Sequence, residues 1–271
     1  MTKANPIPRI GLGTFRLKGQ EVIDSVSSAL ELGYRHIDTA QMYDNEVEVG
    51  QAIRNSGIAR DKIFLTSKVW YDRLRSDDLI RSLEESLDRL GVETLDLALI
   101  HWPSPDDVVP MAETIGALDE ARRKGLTRHI GVSNFTIAQI DAALSVPGGE
   151  HIVTNQIEVH PYLANRKVVE HCQAKGLQVT GYMPLAVGKV MKDPLLQEIA
   201  DAHGATPAQI ALAWIASRDI VVIPSSTKPE HQHANLAAME LELSDNEIAR
   251  IDALDAGERI ADPEWAPRWD D

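Results

Sequence analysis

Cysteine is almost absent from this chain. Its 271 residues include one, Cys172, so no internal disulfide can form. Within HCQAKG it reads as part of a helix end with ordinary packing as its role, because a redox-active thiol usually has a second cysteine beside it. Positive charge is also scarce: 27 Lys and Arg stand against 41 Asp and Glu, for a net charge of −14. No basic run interrupts that deficit, which argues against a nucleic-acid or anionic-membrane partner. An anionic small molecule needs only two or three local cations and is not excluded. Long apolar runs are missing as well. The longest, IALAWIA at 210–216, falls far short of the roughly 20 residues that cross a bilayer, and MTKANPIPRIGLGTF at the start has no secretory apolar segment. The expectation is a soluble protein of a reducing cytoplasm.

No Pro/Ser-rich linker or low-complexity block divides the chain, and its 44% apolar and 25% charged content is ordinary for a folded protein. What is present is an alternation. Eight β-rich runs occur: IGLGTF (10–15), HIDTA (36–40), IFLTSKVW (63–70), LDLALIHW (95–102), HIGVSNF (129–135), IVTNQIEV (152–159), LQVTGYMPL (177–185) and DIVVIPSS (219–226). Between them lie amphipathic stretches such as QEVIDSVSSALELG, SDDLIRSLEESLDRLG, AETIGALDEARRKG and TPAQIALAWIASR. Leu83, Leu87 and Leu90 mark one helix face. Gly33, Gly91, Gly125 and Gly176 stand where helices stop, and Thr206-Pro207 reads as an N-cap and first-turn pair.

Eight strand–helix units suit an α/β fold of the (β/α)8 TIM-barrel type. A doubly wound sheet has the same alternation, but GLGTF lacks the third glycine of GxGxxG and no Walker-type loop occurs. The expected organisation is one barrel domain over residues 1–271, with a tail from 237 to 271 packed by the active-site face.

In parallel α/β folds chemistry collects at the C-terminal strand ends. Those ends carry Asp38 after RHI, Lys68 after IFLTS and His101 after LDLALI, with Tyr43 in the loop after the second strand. Taken singly, each has a plainer reading. Asp38 is also a turn or cap residue, Lys68 a snorkelling lysine, His101 a satisfied core histidine, and Tyr43 rim packing. Together they make a proton-donor site. A tyrosine, with an ordinary pKa of about 10, holds a proton to give. A neighbouring ammonium stabilises the phenolate left behind and is expected to lower that pKa. A buried ammonium in turn needs a carboxylate, which accounts for Asp38 in a strand that should be buried. Neutral His101 is placed to donate a hydrogen bond to a carbonyl oxygen. Such a site supplies no electrons, so a nicotinamide hydride donor is the simplest completion.

From Ile10 to about Asn235 the chain resembles the aldo-keto reductase family. GYRHIDTAQMYDNEVEVG, LDLALIHWP, GVSNF, TNQIEVHPY, GYMPLA and VIPSSTKPEHQHAN occur in family order, and the nearest subgroup is the bacterial 2,5-diketo-D-gluconate reductases of the B type, which also reduce methylglyoxal. The resemblance implies a catalytic tetrad of Asp38, Tyr43, Lys68 and His101, with Tyr43 the general acid. It implies that Ser133, Asn134 and Gln156 hold the nicotinamide carboxamide and that Tyr182 stacks on its ring. Read without the resemblance, Asn134 and Gln156 are equally strand-end turn residues and Tyr182 equally core. At the 2′-phosphate end relatives usually have a Lys and an Arg where this chain has Ser225 and His231. Ser226, Thr227 and Lys228 remain, with Asn235 for the adenine. NADPH is therefore expected, with NADH less suppressed than in relatives that keep both cations. His231 and His233 have poor spacing for a helical metal pair, and zinc is not expected.

Only nine residues precede Ile10, so the hairpin that usually plugs the barrel floor is expected to be missing or truncated. The segment HWPSPDDVVPMAET and the tail EWAPRWDD are short. A shallow, open pocket lined by Phe15, Trp70, Trp102 and Trp265 is expected, suited to small aldehydes, α-dicarbonyls or keto-sugar acids, in a protein acting as a monomer. Two other readings stand beside this one. In one, Lys68 is the nucleophile of a Schiff-base aldolase; in the other, the chain binds nicotinamide as a non-catalytic redox-sensing module.

Overall fold

The computed structural model describes residues 6–270. All eight expected strands form: β1 (Leu12–Gly13), β2 (His36–Asp38), β3 (Phe64–Val69), β4 (Leu95–Ile100), β5 (Thr127–Ser133), β6 (Ile152–Glu158), β7 (Gln178–Tyr182) and β8 (Ile220–Val222). Each pairs in parallel with the next in chain order. The circle closes through Gly11 N to Val222 O at 2.9 Å, Gly13 N to Pro224 O at 3.0 Å and Val222 N to Arg9 O at 3.0 Å. The fold is a (β/α)8 barrel. Every residue of β4 is buried, as expected of a strand with barrel interior on one side and helices on the other.

The helices are α1 (Gly19–Leu32), α2 (Glu46–Asn55), α3 (Ser76–Leu90), α4 (Met111–Arg123), α5 (Ile137–Ser145), α6 (Arg166–Ala174), α7 (Pro194–His203), α8 (Pro207–Ala216), α9 (Pro229–Ala237) and α10 (Asp245–Asp252). Gly33 and Gly91 cap α1 and α3 with φ of 109° and 65°, a region that costs other residues strain. Thr206 caps α8 through a reciprocal pair with Gln209. The connection from β7 to β8 carries two helices rather than one. The second, α8, contains the apolar run IALAWIA and is buried on every side from Ile210 to Ala216, which explains its lack of a polar face. Among the described residues no helix is long and apolar enough to cross a membrane. Cys172 is fully buried in α6, and burial pushes its thiol up to about 11, so packing is its role.

Ile7 joins Leu97, Leu99 and Val221 in a small apolar cluster flanked by Phe64 and Val153. The described part of the segment before Ile10 thus contributes a side chain to the barrel interior. Residues 1–5 and 271, which the expected organisation also includes, lie outside the described residues.

Candidate active site

Asp38 ends β2, opposite Gly13 on one side and Thr66 on the other. Lys68 sits one residue before the end of β3, and His101 follows β4. Tyr43 ends a single helical turn, Gln41–Tyr43, and Asp44 after it turns the chain with φ of 51°. That turn is held from both sides. Asn45 donates to Thr14 O at 2.9 Å and Leu17 O at 3.0 Å and accepts from Thr39 Oγ1 at 2.8 Å. Gln41 donates to Ser82 O and Ser86 Oγ on α3. Neither residue stood out in the sequence, because an amide's value as a loop brace depends on partners far along the chain.

The four side chains converge. Lys68 Nζ donates to Asp38 Oδ1 at 2.5 Å, to Thr39 O at 2.9 Å and to Tyr43 Oη at 3.2 Å. Asp38 and Lys68 are both 1% exposed. The His101 ring lies edge-on to Tyr43, with centroids 5.7 Å apart. Burial, the largest single influence, depresses the Lys68 ammonium, but Asp38 and Tyr43 together outweigh it and the pKa ends above its ordinary value. Lys68 is therefore a charge rather than a free amine, which disfavours a Schiff-base role. His101 is pushed well below 6.5, first by burial and then by Lys68, so it is neutral.

Tyr43 departs from expectation. Its pKa is raised rather than lowered, since enclosure in the barrel mouth outweighs Lys68, and Asp38 adds to the rise. The ammonium limits the increase without reversing it. The phenol is thereby kept protonated, and it remains a far stronger acid than the alcohol that an alkoxide would become.

Ser133, Asn134, Gln156 and Tyr182 are gathered by β5, β6 and β7 along one side of the same mouth. Ser133 Oγ donates to Gln156 O at 2.8 Å. Asn134, at φ of 63°, donates to His101 O at 3.0 Å and accepts from Tyr182 Oη at 2.7 Å. Gln156 Nε2 donates to Asp38 Oδ2 at 2.8 Å. That bond ties the amide cluster to the charged pair across 118 positions, a link no spacing rule reveals. Burial holds the Tyr182 phenol well above its usual range.

Above these groups lies a cavity of about 550 Å³ whose lining includes Phe15, Trp70, Trp102 and Trp265, together with Tyr43, His101, Asn134, Gln156 and Tyr182. The tail forms one wall: Trp265 packs edge-on against Trp70 and Trp102, with centroids at 5.7 and 5.0 Å. Ser225 borders the cavity. Ser226, Thr227, Lys228, His231 and Asn235 run outward from it along the start of α9, with Thr227, Lys228 and His231 exposed and Asn235 buried. Ser226 O is held by Ser25 Oγ at 2.6 Å and Gln232 Nε2 at 2.8 Å.

Comparison with known proteins agrees with this fold. Residues 9–256 match the model of the aldo/keto reductase family. The chain is 52% identical over 265 residues to the methylglyoxal reductase DkgB of Salmonella typhi, spanning 97% of this chain and 99% of that one. It is 37% identical over 255 residues to the glyoxal reductase of Bacillus subtilis (strain 168), covering 94% and 91% of the two chains. A crystal structure provisionally designated 2,5-diketo-D-gluconic acid reductase B superposes with a TM-score of 0.94 at 44% identity, over all of this chain and 96% of that one.

Proposed function

The chain belongs to the aldo/keto reductase family, oxidoreductases of carbonyl groups that generally use nicotinamide cofactors, and from that premise we propose an NADPH-dependent reductase of small aldehydes and α-dicarbonyls such as methylglyoxal, or of a keto-sugar acid such as 2,5-diketo-D-gluconate, with Tyr43 as general acid. The carrying observation is the unbroken chain from Asp38 through Lys68 to Tyr43, at 2.5 and 3.2 Å, beneath an aromatic cavity. The similarity to methylglyoxal and glyoxal reductases supports the substrate class.

The residues present fit a nicotinamide. Asn134 and Gln156 line the cavity with amides beside the flat Tyr182 ring, and Gln156 spends its N–H on Asp38, leaving its carbonyl to accept from a carboxamide. When bound, the cofactor supplies hydride to the carbonyl carbon. Tyr43 hands its proton to the carbonyl oxygen as negative charge develops there, and Lys68, kept charged by Asp38, stabilises the phenolate. Neutral His101 orients the carbonyl from the other side. Lys228 is the cation retained at the 2′-phosphate end beside Ser226 and Thr227, with His231 a turn further on and Asn235 toward the adenine. Such a protein would act as a monomer.

Tyr43→Phe tests the assignment. Turnover of methylglyoxal, followed by nicotinamide absorbance, should fall by roughly 100- to 10,000-fold. NADPH binding, followed by protein fluorescence, should be nearly unchanged. Retained turnover would remove Tyr43 from the role. Running NADPH and NADH in parallel would measure what the loss of two cations costs in cofactor choice.

A further inference from the structure

Asp38 is not the only buried carboxylate at the barrel mouth. Glu158 ends β6, two residues beyond Gln156, and is 1% exposed. An acid buried so fully must be satisfied by donors. Its Oε1 accepts from Ile260 N at 2.8 Å and its Oε2 from Ala261 N at 2.7 Å. His160, equally buried, lies with Nε2 2.8 Å from Oε1. Both backbone donors belong to the tail, 102 and 103 positions away. Beyond them come Pro263 and Trp265, which wall the cavity. The far end of the segment is fixed too, with Ile137 N donating to Asp270 Oδ2 at 2.8 Å at the start of α5.

We propose that Glu158 is a positioning residue that straps the C-terminal segment across the mouth and so sets how large a carbonyl compound the pocket admits and how tightly it binds. The carboxylate has two acceptor oxygens and the strap presents two successive N–H groups, so the match is bidentate and charge-assisted. Because Glu158 and Gln156 share β6, the wall of the pocket and the amide cluster are held in one register. Glu158 does not line the cavity, and it acts on bound substrate through Trp265. The proposal rests on the reductase reading for its kinetic consequences only.

The full-length Glu158→Gln variant tests it. An amide keeps the shape but turns one acceptor into a donor facing an N–H. Amide hydrogen exchange at 260–265 should accelerate while the β6 amides stay protected. KM for an aromatic aldehyde should rise by about tenfold with kcat within about twofold, the pattern of lost uniform binding. In the Trp265→Ala background the same substitution should add little, because its effect passes through that ring. Ala261→Pro, which removes one donor from the strap and leaves β6 intact, should reproduce the exchange and KM changes even where Glu158→Gln fails to fold. Unaltered exchange at 260 and 261, an unchanged KM, or a collapse of kcat at constant KM would each overturn the proposal. Exchange reads the strap independently of turnover, so a wild-type protein inert toward carbonyls would sink the reductase reading alone.

Discussion

At the mouth of the barrel Lys68 keeps its charge in complete burial because Asp38 lies 2.5 Å away. At the floor His36 is just as buried and gives its charge up, with a pKa pushed down to about 4, chiefly by desolvation. Its Nε2 lies 3.2 Å from Thr66 Oγ1, and its ring lies edge-on to Phe64. Asp38 is two positions from His36 and raises its pKa, but that carboxylate is already engaged by Lys68 and Gln156. Similar burial gives opposite ionisation, and the deciding factor is whether a counter-charge is in contact. The mouth maintains an ion pair where the proposed chemistry needs a charge, while the floor buries an imidazole as a neutral packing group.

Breaking the mouth should have the largest effect. Lys68→Met leaves Asp38 buried without its cation and Tyr43 without support for its phenolate. Steady-state kinetics should show kcat lower by about a thousandfold or more, and urea unfolding should show a loss of about 3–5 kcal/mol. A variant that kept its activity would show that the ion pair only packs.

The floor should respond to pH instead. His36 binds a proton near 6.5 when unfolded and only near 4 when folded, so the unfolded chain holds more protons between those values. Its contribution is intact above about 6.5 and is lost as pH falls toward 4, on the order of 3 kcal/mol in all. In His36→Gln the total loss of unfolding free energy across that window should shrink by about that amount, with kcat unchanged at neutral pH. Equal losses would mean that His36 is hydrated or paired in solution.

The smallest effect belongs to the floor's own ion cluster. Asp96 bridges Arg60 at 2.7 Å and Arg128 at 2.6 Å and accepts from Leu65 N at 3.0 Å. Both arginines reach solvent, so Asp96→Asn should cost only about 1–2 kcal/mol. Activity should be untouched. A loss of turnover would mean that the floor communicates with the mouth.

The same contrast explains what the sequence made legible. Asp38, Lys68 and His101 announce themselves because polar residues at the ends of apolar parallel strands are conspicuous, and Tyr43 follows from the loop after one of them. The eight strands were legible for a related reason, since β-rich runs alternate with amphipathic stretches. The link from Gln156 to Asp38 and the hold of Glu158 on Ile260 and Ala261 were not, because they join strand ends to partners more than a hundred positions distant. The direction of the Tyr43 shift was misjudged for another reason. Local charges can be read from residue types, whereas the degree of enclosure is a property of the assembled mouth.

The pH profile of carbonyl reduction is the most direct test of Tyr43 as a buried, protonated acid. The rate should stay level through neutral and mildly alkaline pH and fall only above the phenol's ordinary 10, where the proton is finally lost. In Tyr43→Phe that alkaline limb should vanish along with most of the activity. A wild-type rate that halves near neutral pH would contradict the account and assign the proton to another group.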